Sequence, residues 1–119
     1  MSSINNTGSS SGGGSNPTSA IAIGGIAGIP ANTPSTIVTY TASGAIGITK
    51  ISTSGSDYAK FLLYKNTSLM ETQRTGPQRN IDFLFGGSLA LSSGDIVDVK
   101  VIHYNTGVLS DFESTLYGA

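Results

Sequence analysis

Side chains able to carry out acid–base or metal chemistry are scarce in this sequence. His103 is the only histidine, and the chain contains no cysteine. A zinc site needs three or four protein ligands, so a single imidazole cannot supply one. His103 also lies on the apolar side of an alternating segment, where a neutral, hydrogen-bonded structural histidine is the expected role. We therefore expect a protein that is not an enzyme and that has no metal and no cofactor.

Four acidic residues near the C-terminal end are the remaining candidates for ion binding. These are Asp95, Asp98, Asp111 and Glu113, of which Asp95 and Asp111 fall in or beside predicted turns. Carboxylates and carbonyl oxygens in turns can hold calcium, but the spacing here does not resemble the twelve-residue calcium loop. Solvated turn carboxylates are the expected state.

Charge and composition restrict the partners further. The 119 residues include six Lys or Arg and seven Asp or Glu, which gives a net charge of −1. No positive excess is present to neutralise a phosphate backbone, so we expect no nucleic-acid partner. The first residues have neither the basic nor the apolar run of a secretory signal. The most apolar stretch is about half the length of a spanning helix, so we also expect no membrane partner.

The distribution of charge divides the chain into two regions. All of the charged residues lie at or after Lys50, and the first 49 residues are uncharged. We predict an extended N-terminal arm over residues 1–35 and a folded domain over residues 36–119. The Ser- and Gly-rich stretch 1–19 has almost no apolar side chains to offset the cost of ordering its backbone, so we expect it to be flexible on its own.

The second part of the predicted arm has a different composition. Residues 20–30 read AIAIGGIAGIP, in which isoleucines alternate irregularly with small residues. Small residues allow a backbone to lie close against a neighbouring surface, so this segment is predicted to be covered. The cover could be the core of the same domain, a sister subunit or a larger partner protein. The isoleucines that we predict to make this contact are Ile21, Ile23, Ile26 and Ile29.

From residue 36 onward the sequence has the pattern of an all-β protein. Short alternating segments are separated by Gly, Ser, Asn and Asp turns, which is typical of an antiparallel β-sandwich. Tight turns are predicted at Lys65-Asn66-Thr67-Ser68 and at Ser92-Ser93-Gly94-Asp95, where Gly94 suits a positive φ. Strands are predicted at 37–42, 45–52, 58–65, 69–74, 80–85, 95–104 and 112–117.

Two of these predicted strands are apolar on both faces. In 95–104, one face carries Val97, Val99, Val101 and His103, and the other face still contains two isoleucines and a tyrosine. A sandwich covers only one face of each sheet, so the second face needs another cover, for which an identical subunit is the simplest candidate. The predicted subunit-interface residues are Tyr58, Leu62, Tyr64, Ile96, Ile102 and Tyr104.

Three segments resemble small jelly-roll modules of the complement C1q and tumour necrosis factor type. They are FLLYKNTS at 61–68, LALSSGDIVDV at 89–99 and DFESTL at 111–116. Those modules share a Ser-Gly-Asp-like turn into a long valine-rich strand and a final strand that contains Phe. Similar jelly rolls occur in bacteriophage virions as capsid decoration proteins and fibre heads. The chain is short for a C1q head and has an uncharged arm in place of a collagen-like repeat, which favours the virion type.

The resemblance implies a homotrimer that decorates or cements a bacteriophage capsid. The N-terminal arm would then dock on the major capsid protein or another virion protein, and the chain would be made in the host cytoplasm. The alternative is the receptor- or carbohydrate-binding head of a phage fibre or adhesin. Tyrosine rings stack on sugars, so a glycan partner stays open, with candidates Tyr58, Tyr64, Tyr104 and Tyr117.

Overall fold

The protein is built from eight β-strands. The structure, a computed structural model, describes residues 19–119; the remaining part of the predicted arm, 1–18, lies outside the described residues. The described part contains strands and turns but no helix, which confirms the all-β prediction. The strands are β1 (Ser19–Ile29), β2 (Ser35–Thr41), β3 (Ile46–Ser54), β4 (Ala59–Lys65), β5 (Ser68–Arg74), β6 (Asn80–Leu91), β7 (Ile96–His103) and β8 (Ser110–Gly118).

The strands form two four-stranded antiparallel sheets that pack face to face. Sheet 1 has the order β1-β8-β3-β6, and sheet 2 has the order β2-β7-β4-β5. The pairings are nested: β4 pairs with β5, β3 with β6, β2 with β7 and β1 with β8. The chain therefore follows the path of a doubled ribbon whose tip is the short β4–β5 turn. This arrangement is the β-sandwich that the alternation predicted.

The core lies between the two sheets and follows the predicted alternation of β7. Val97, Val99, Val101 and His103 have no exposed surface, whereas the residues between them are partly or largely exposed. The aromatic centre of the core is formed by Phe61 of sheet 2 and Phe112 of sheet 1, whose rings meet edge to face at 5.9 Å. Burying a side chain of this size contributes about 1.5–3 kcal/mol.

The apolar segment of the predicted arm is a strand of sheet 1. Strand β1 pairs with β8 along most of its length, and Ile21, Ile26 and Ile29 pack against the core. The segment comes so close to β2 that a Cβ on Gly24 would collide with the backbone and side chain of sheet 2. Of the three covers that the sequence left open, the core of the same domain covers these three isoleucines. The sandwich thus begins at Ser19, and residues 19–35 of the predicted arm belong to it.

Hydrogen bonds tie together the loops at one end of the sandwich. Nε2 of the buried His103 lies 2.7 Å from the carbonyl oxygen of Ile29, and Nδ1 accepts a hydrogen bond from the backbone N–H of Asn105 at 3.3 Å. The Asn105 side chain donates to Ser56 Oγ at 2.8 Å and to the Asp57 carbonyl at 2.9 Å. The structural role of His103 is therefore to connect the end of β1 to the β7–β8 loop and, through Asn105, to the β3–β4 loop.

The predicted β4–β5 hairpin turn provides a test of the backbone geometry. Asn66 and Thr67 both have positive φ, at 50° and 68°, as in a two-residue type I′ turn. A β-branched residue is strained there, so Thr67→Gly should raise the free energy of unfolding by about 0.5–1 kcal/mol, measured by urea denaturation. Thr106→Gly is the matched control, because Thr106 does not have a positive φ. Thr106→Gly should lower the free energy of unfolding. A lower free energy of unfolding in both variants would contradict the turn geometry.

Candidate functional site

The outer face of sheet 2 contains the predicted interface residues. Across β4 and β7, Lys60 lies opposite Ile102, Leu62 opposite Lys100, and Tyr64 opposite Asp98. Tyr58 and Tyr104 lie where the same two strands end, and the N–H of Tyr104 donates to the Tyr58 carbonyl at 3.2 Å. The structure therefore places Leu62, Tyr64, Ile96 and Ile102 on this face, with Tyr58 and Tyr104 together at one of its ends. Leu62, Tyr64 and Ile102 are half-buried, whereas Tyr58, Ile96 and Tyr104 are exposed.

Charged side chains cover part of this face. The ammonium group of Lys100 lies 4.9 Å above the centroid of the Tyr64 ring, a cation–π contact worth about 0.5–1 kcal/mol at an exposed site. Asp98 accepts a hydrogen bond from the Thr39 hydroxyl on β2. Polar and charged side chains of the face itself therefore cover part of the apolar surface in its middle. Its uncovered apolar surface is concentrated towards the two ends, at Ile96 and at Tyr58 and Tyr104.

The outer face of sheet 1 contains the one predicted docking residue that remains available at the surface. Ile23 is 74% exposed and lies opposite Thr115 of β8, while Ile21, Ile26 and Ile29 are partly buried against the core. On the same sheet, Leu84 of β6 is 67% exposed. The sequence interpretation missed Leu84, although its alternation with the inward-facing Ile81 and Phe83 could have placed it outside.

The acidic residues are held by the fold rather than gathered into an ion site. Asp111 accepts a hydrogen bond from the Gly28 N–H at 2.9 Å, and Asp95 accepts one from the Ser92 N–H at 2.8 Å. Among residues 19–119, no three His, Asp or Glu side chains lie close enough to hold a metal ion together.

Neither a membrane-spanning helix in the described residues nor a match to a known protein indicates what the chain does. In the described part of the chain, no helix has the length and apolar character needed to cross a membrane. Comparisons of the chain with protein-family profiles, curated proteins and solved structures found no match. What the protein does must therefore be inferred from its own surfaces.

We expect the turn that precedes β7 to make a pH-dependent contribution to stability. The Ser92 N–H, the Asn66 amide and the nearby Lys65 ammonium together lower the pKa of Asp95 below its ordinary value of 3.8. A carboxylate whose pKa is lowered by folding stabilises the protein above its unfolded-state pKa, and this contribution is lost as pH falls through the folded-state pKa.

Asp95→Asn should therefore be less stable than the natural chain at neutral pH, and the difference should shrink as the pH falls below about 4. Urea denaturation at a series of pH values measures this difference. Glu113→Gln, which neutralises an exposed carboxylate on sheet 1, is the matched control and should show no such narrowing. A stability gap for Asp95→Asn that is independent of pH would show that the ionised carboxylate is not the stabilising group.

Proposed function

We propose that this chain is a structural protein of a bacteriophage particle, a jelly roll that forms a trimer and decorates or cements the capsid. The nested pairing, with β1-β8-β3-β6 facing β2-β7-β4-β5, supports a jelly roll, in which two Greek keys share eight strands. Jelly rolls occur in viral capsid domains and in lectins. The resemblance of the turn before β7 and of the strands around it to C1q-type modules points to the same architecture.

The observation that carries the proposal is the apolar outer face of sheet 2. An antiparallel sheet with one face in water normally alternates between apolar inward and polar outward residues. Strands β4 and β7 instead combine a fully buried inner face with Leu62, Tyr64, Ile96 and Ile102 outside. A second copy of the chain would remove these side chains from water, as homo-oligomer contacts do.

The charges on this face favour a cyclic trimer over a two-fold dimer. In a two-fold contact the same face meets itself, so Lys60, Lys100 and Arg74 would oppose one another with only Asp98 to balance them. In a ring, two different surfaces of the chain meet. Edge strand β6 supplies a suitable second surface on the outer face of sheet 1, since it combines exposed Leu84 with the carboxylate of exposed Asp82.

Attachment to the capsid is assigned to the N-terminal region. Residues 1–18 enter the fold at Ser19, the first residue of edge strand β1, and Ile23 is exposed four residues further on. A contact of this kind is repeated three times in a trimer, so weak contacts from single subunits add to a stronger attachment. The capsid-contacting part of the originally predicted arm is therefore restricted to residues 1–18 and Ile23.

Replacement of both Ile102 and Tyr104 by Asp should convert the trimer into monomers, measured by light scattering. Both residues lie on the outer face or at its end, so circular dichroism should still show a β-protein. Ile23→Asp introduces the same charge on the other sheet and should remain trimeric. A double-aspartate variant that keeps the mass of the natural chain would contradict the assigned interface.

Removal of residues 1–18, or Ile23→Asp, should reduce co-sedimentation with empty shells assembled from the major capsid protein encoded in the same genome. We expect a loss of at least tenfold in affinity, because each of three contacts is weakened. The variants should remain trimers, which separates this test from the previous one. If they sediment with the shells as the natural chain does, the docking assignment is wrong.

A further inference from the structure

A cavity at one end of the sandwich is not used by the proposed trimer or by capsid attachment. It has a volume of about 480 Å³ and opens between the β3–β4, β5–β6 and β7–β8 loops. This volume lies in the range of ligand pockets, roughly 300–1,000 Å³. We call it the end pocket. Its lining includes Asp57, Arg79, Asn105, Val108, Leu109 and Asp111.

The two carboxylates in the end pocket are fixed in position and retain free acceptor capacity. Oδ1 of Asp57 accepts a hydrogen bond from the Asn105 amide at 3.1 Å, and Oδ1 of Asp111 accepts one from the Gly28 N–H at 2.9 Å. Within residues 19–119, no hydrogen bond is donated to the Oδ2 atom of either residue. Each carboxylate can therefore accept a hydrogen bond from a ligand without losing the bond that orients it.

Arg79 supplies donors on the same wall. Its backbone carbonyl accepts a hydrogen bond from the Gly55 N–H at 2.8 Å, which fixes the β5–β6 loop beside the β3–β4 loop. Among the described residues its guanidinium forms no ion pair with a carboxylate. The end pocket thus presents charged acceptors and a charged donor together.

The walls of the end pocket are held by the network that begins at His103. Asn105 is anchored through its backbone to the buried imidazole and through its amide to Ser56 and Asp57. The hydroxyl of buried Thr75 donates to the Ser56 carbonyl at 2.9 Å and accepts from the Ala59 N–H at 2.9 Å. A site fixed in advance loses less conformational entropy when a ligand binds.

This combination of groups selects for a neutral ligand rich in hydroxyl groups. Two carboxylates against one guanidinium disfavour an anion, and the guanidinium donors need an acceptor on the ligand, which an ammonium cation lacks. A hydroxyl group both donates and accepts, so it can donate to Asp57 or Asp111 while it accepts from Arg79. Val108 and Leu109 are 49% and 69% exposed and offer an apolar wall for the C–H face of a sugar ring.

Two exposed tyrosines lie beside the cavity, in the surface assigned to the subunit contact. Tyr58 follows Asp57 and Tyr104 precedes Asn105 in the sequence, and both are largely exposed. The other tyrosines that the sequence offered for stacking are Tyr64 and Tyr117, and each has a lysine ammonium 4.9 Å above its ring. Tyr58 also has a φ of 53°, a conformation that bulky residues rarely adopt. Sequence reasoning named Tyr58 and Tyr104 but missed the pocket beside them.

We propose that the end pocket binds a neutral hexose unit of a glycan, with Asp57, Asp111 and Arg79 on its hydroxyls and Leu109 against its ring. The proposal does not depend on the oligomeric state or on capsid attachment, because the lining residues all come from one chain.

The test uses the full chain and the methyl glycosides of glucose, galactose and mannose as probes. Isotope-edited NMR should show saturable shifts with at least one glycoside, with a Kd on the order of 1–10 mM. The shifts should map to 55–57, the Asn105 amide and 108–111. The absence of shifts with all three glycosides, or shifts confined to another surface, would overturn the proposal. So would tighter binding of sialyllactose, which carries an anion.

Two variants of the pocket should weaken binding while the chain stays folded. Asp111→Asn keeps an oxygen for the Gly28 N–H but loses the charge, and we expect about a tenfold increase in Kd. Leu109→Ala should raise Kd about threefold through loss of the apolar wall. Glu113→Gln is the matched control, because Glu113 is exposed on the outer face of sheet 1 and does not line the end pocket, and it should leave Kd unchanged. Unchanged binding by Asp111→Asn, or an equal loss in the control, would overturn the assignment.

Discussion

Strands β4 and β7 are apolar on both faces, and the sandwich covers only one of them. The inner face is filled by Val97, Val99 and Val101 against the aromatic pair Phe61 and Phe112, with no exposed surface on the three valines. The outer face carries isoleucine, leucine and tyrosine between lysines. The stability of the single chain comes from the first face, and the proposed assembly comes from the second. The sandwich therefore leaves one apolar face of β4 and β7 uncovered, and this constraint relates the fold to the proposed function.

The nested pairing of strands explains how surfaces with different roles are kept apart. Because β1 pairs with β8 at the outside of the ribbon, the N-terminal residues enter at an edge of sheet 1, while the apolar face belongs to sheet 2. The loops β3–β4, β5–β6 and β7–β8 meet at one end, where Asn105 ties the β7–β8 loop to Ser56 and where Thr75 and Arg79 tie the β5–β6 loop to the same β3–β4 loop. The surfaces that we propose for capsid attachment, subunit contact and sugar binding thus lie in separate parts of one small domain.

The sequence predicted the parts of the fold that depend on local periodicity. The alternation of Val97, Val99 and Val101 determined the inner face of β7, and the positive φ of Gly94 was anticipated from its turn. Strand β1 was not predicted because its isoleucines do not recur every second residue. The structure gives the reason: the β1–β8 register shifts between Ala20 and Ala22 and again between Ile26 and Ile29.

Features assembled from distant segments were beyond sequence reasoning. The predicted strand 80–85 ends too early, because the two glycines after Phe85 resemble a turn in the sequence. In the structure the chain continues through them in the sheet as part of the longer β6. The end pocket combines residues from three loops, and no periodicity relates Asp57 to Arg79 or Asp111. The outer face of sheet 2 could be predicted from the sequence, because β4 and β7 each show an alternation of inward-facing and outward-facing residues.

Sedimentation equilibrium of the natural chain over a wide dilution series tests the central claim most directly. If the outer face of sheet 2 is covered by other copies, the mass should be three times the 12.1 kDa of the chain and should fall only at high dilution. A mass of 12.1 kDa at every concentration, in a sample that remains clear and folded, would show that this apolar face is stable in water and would contradict the proposed assembly.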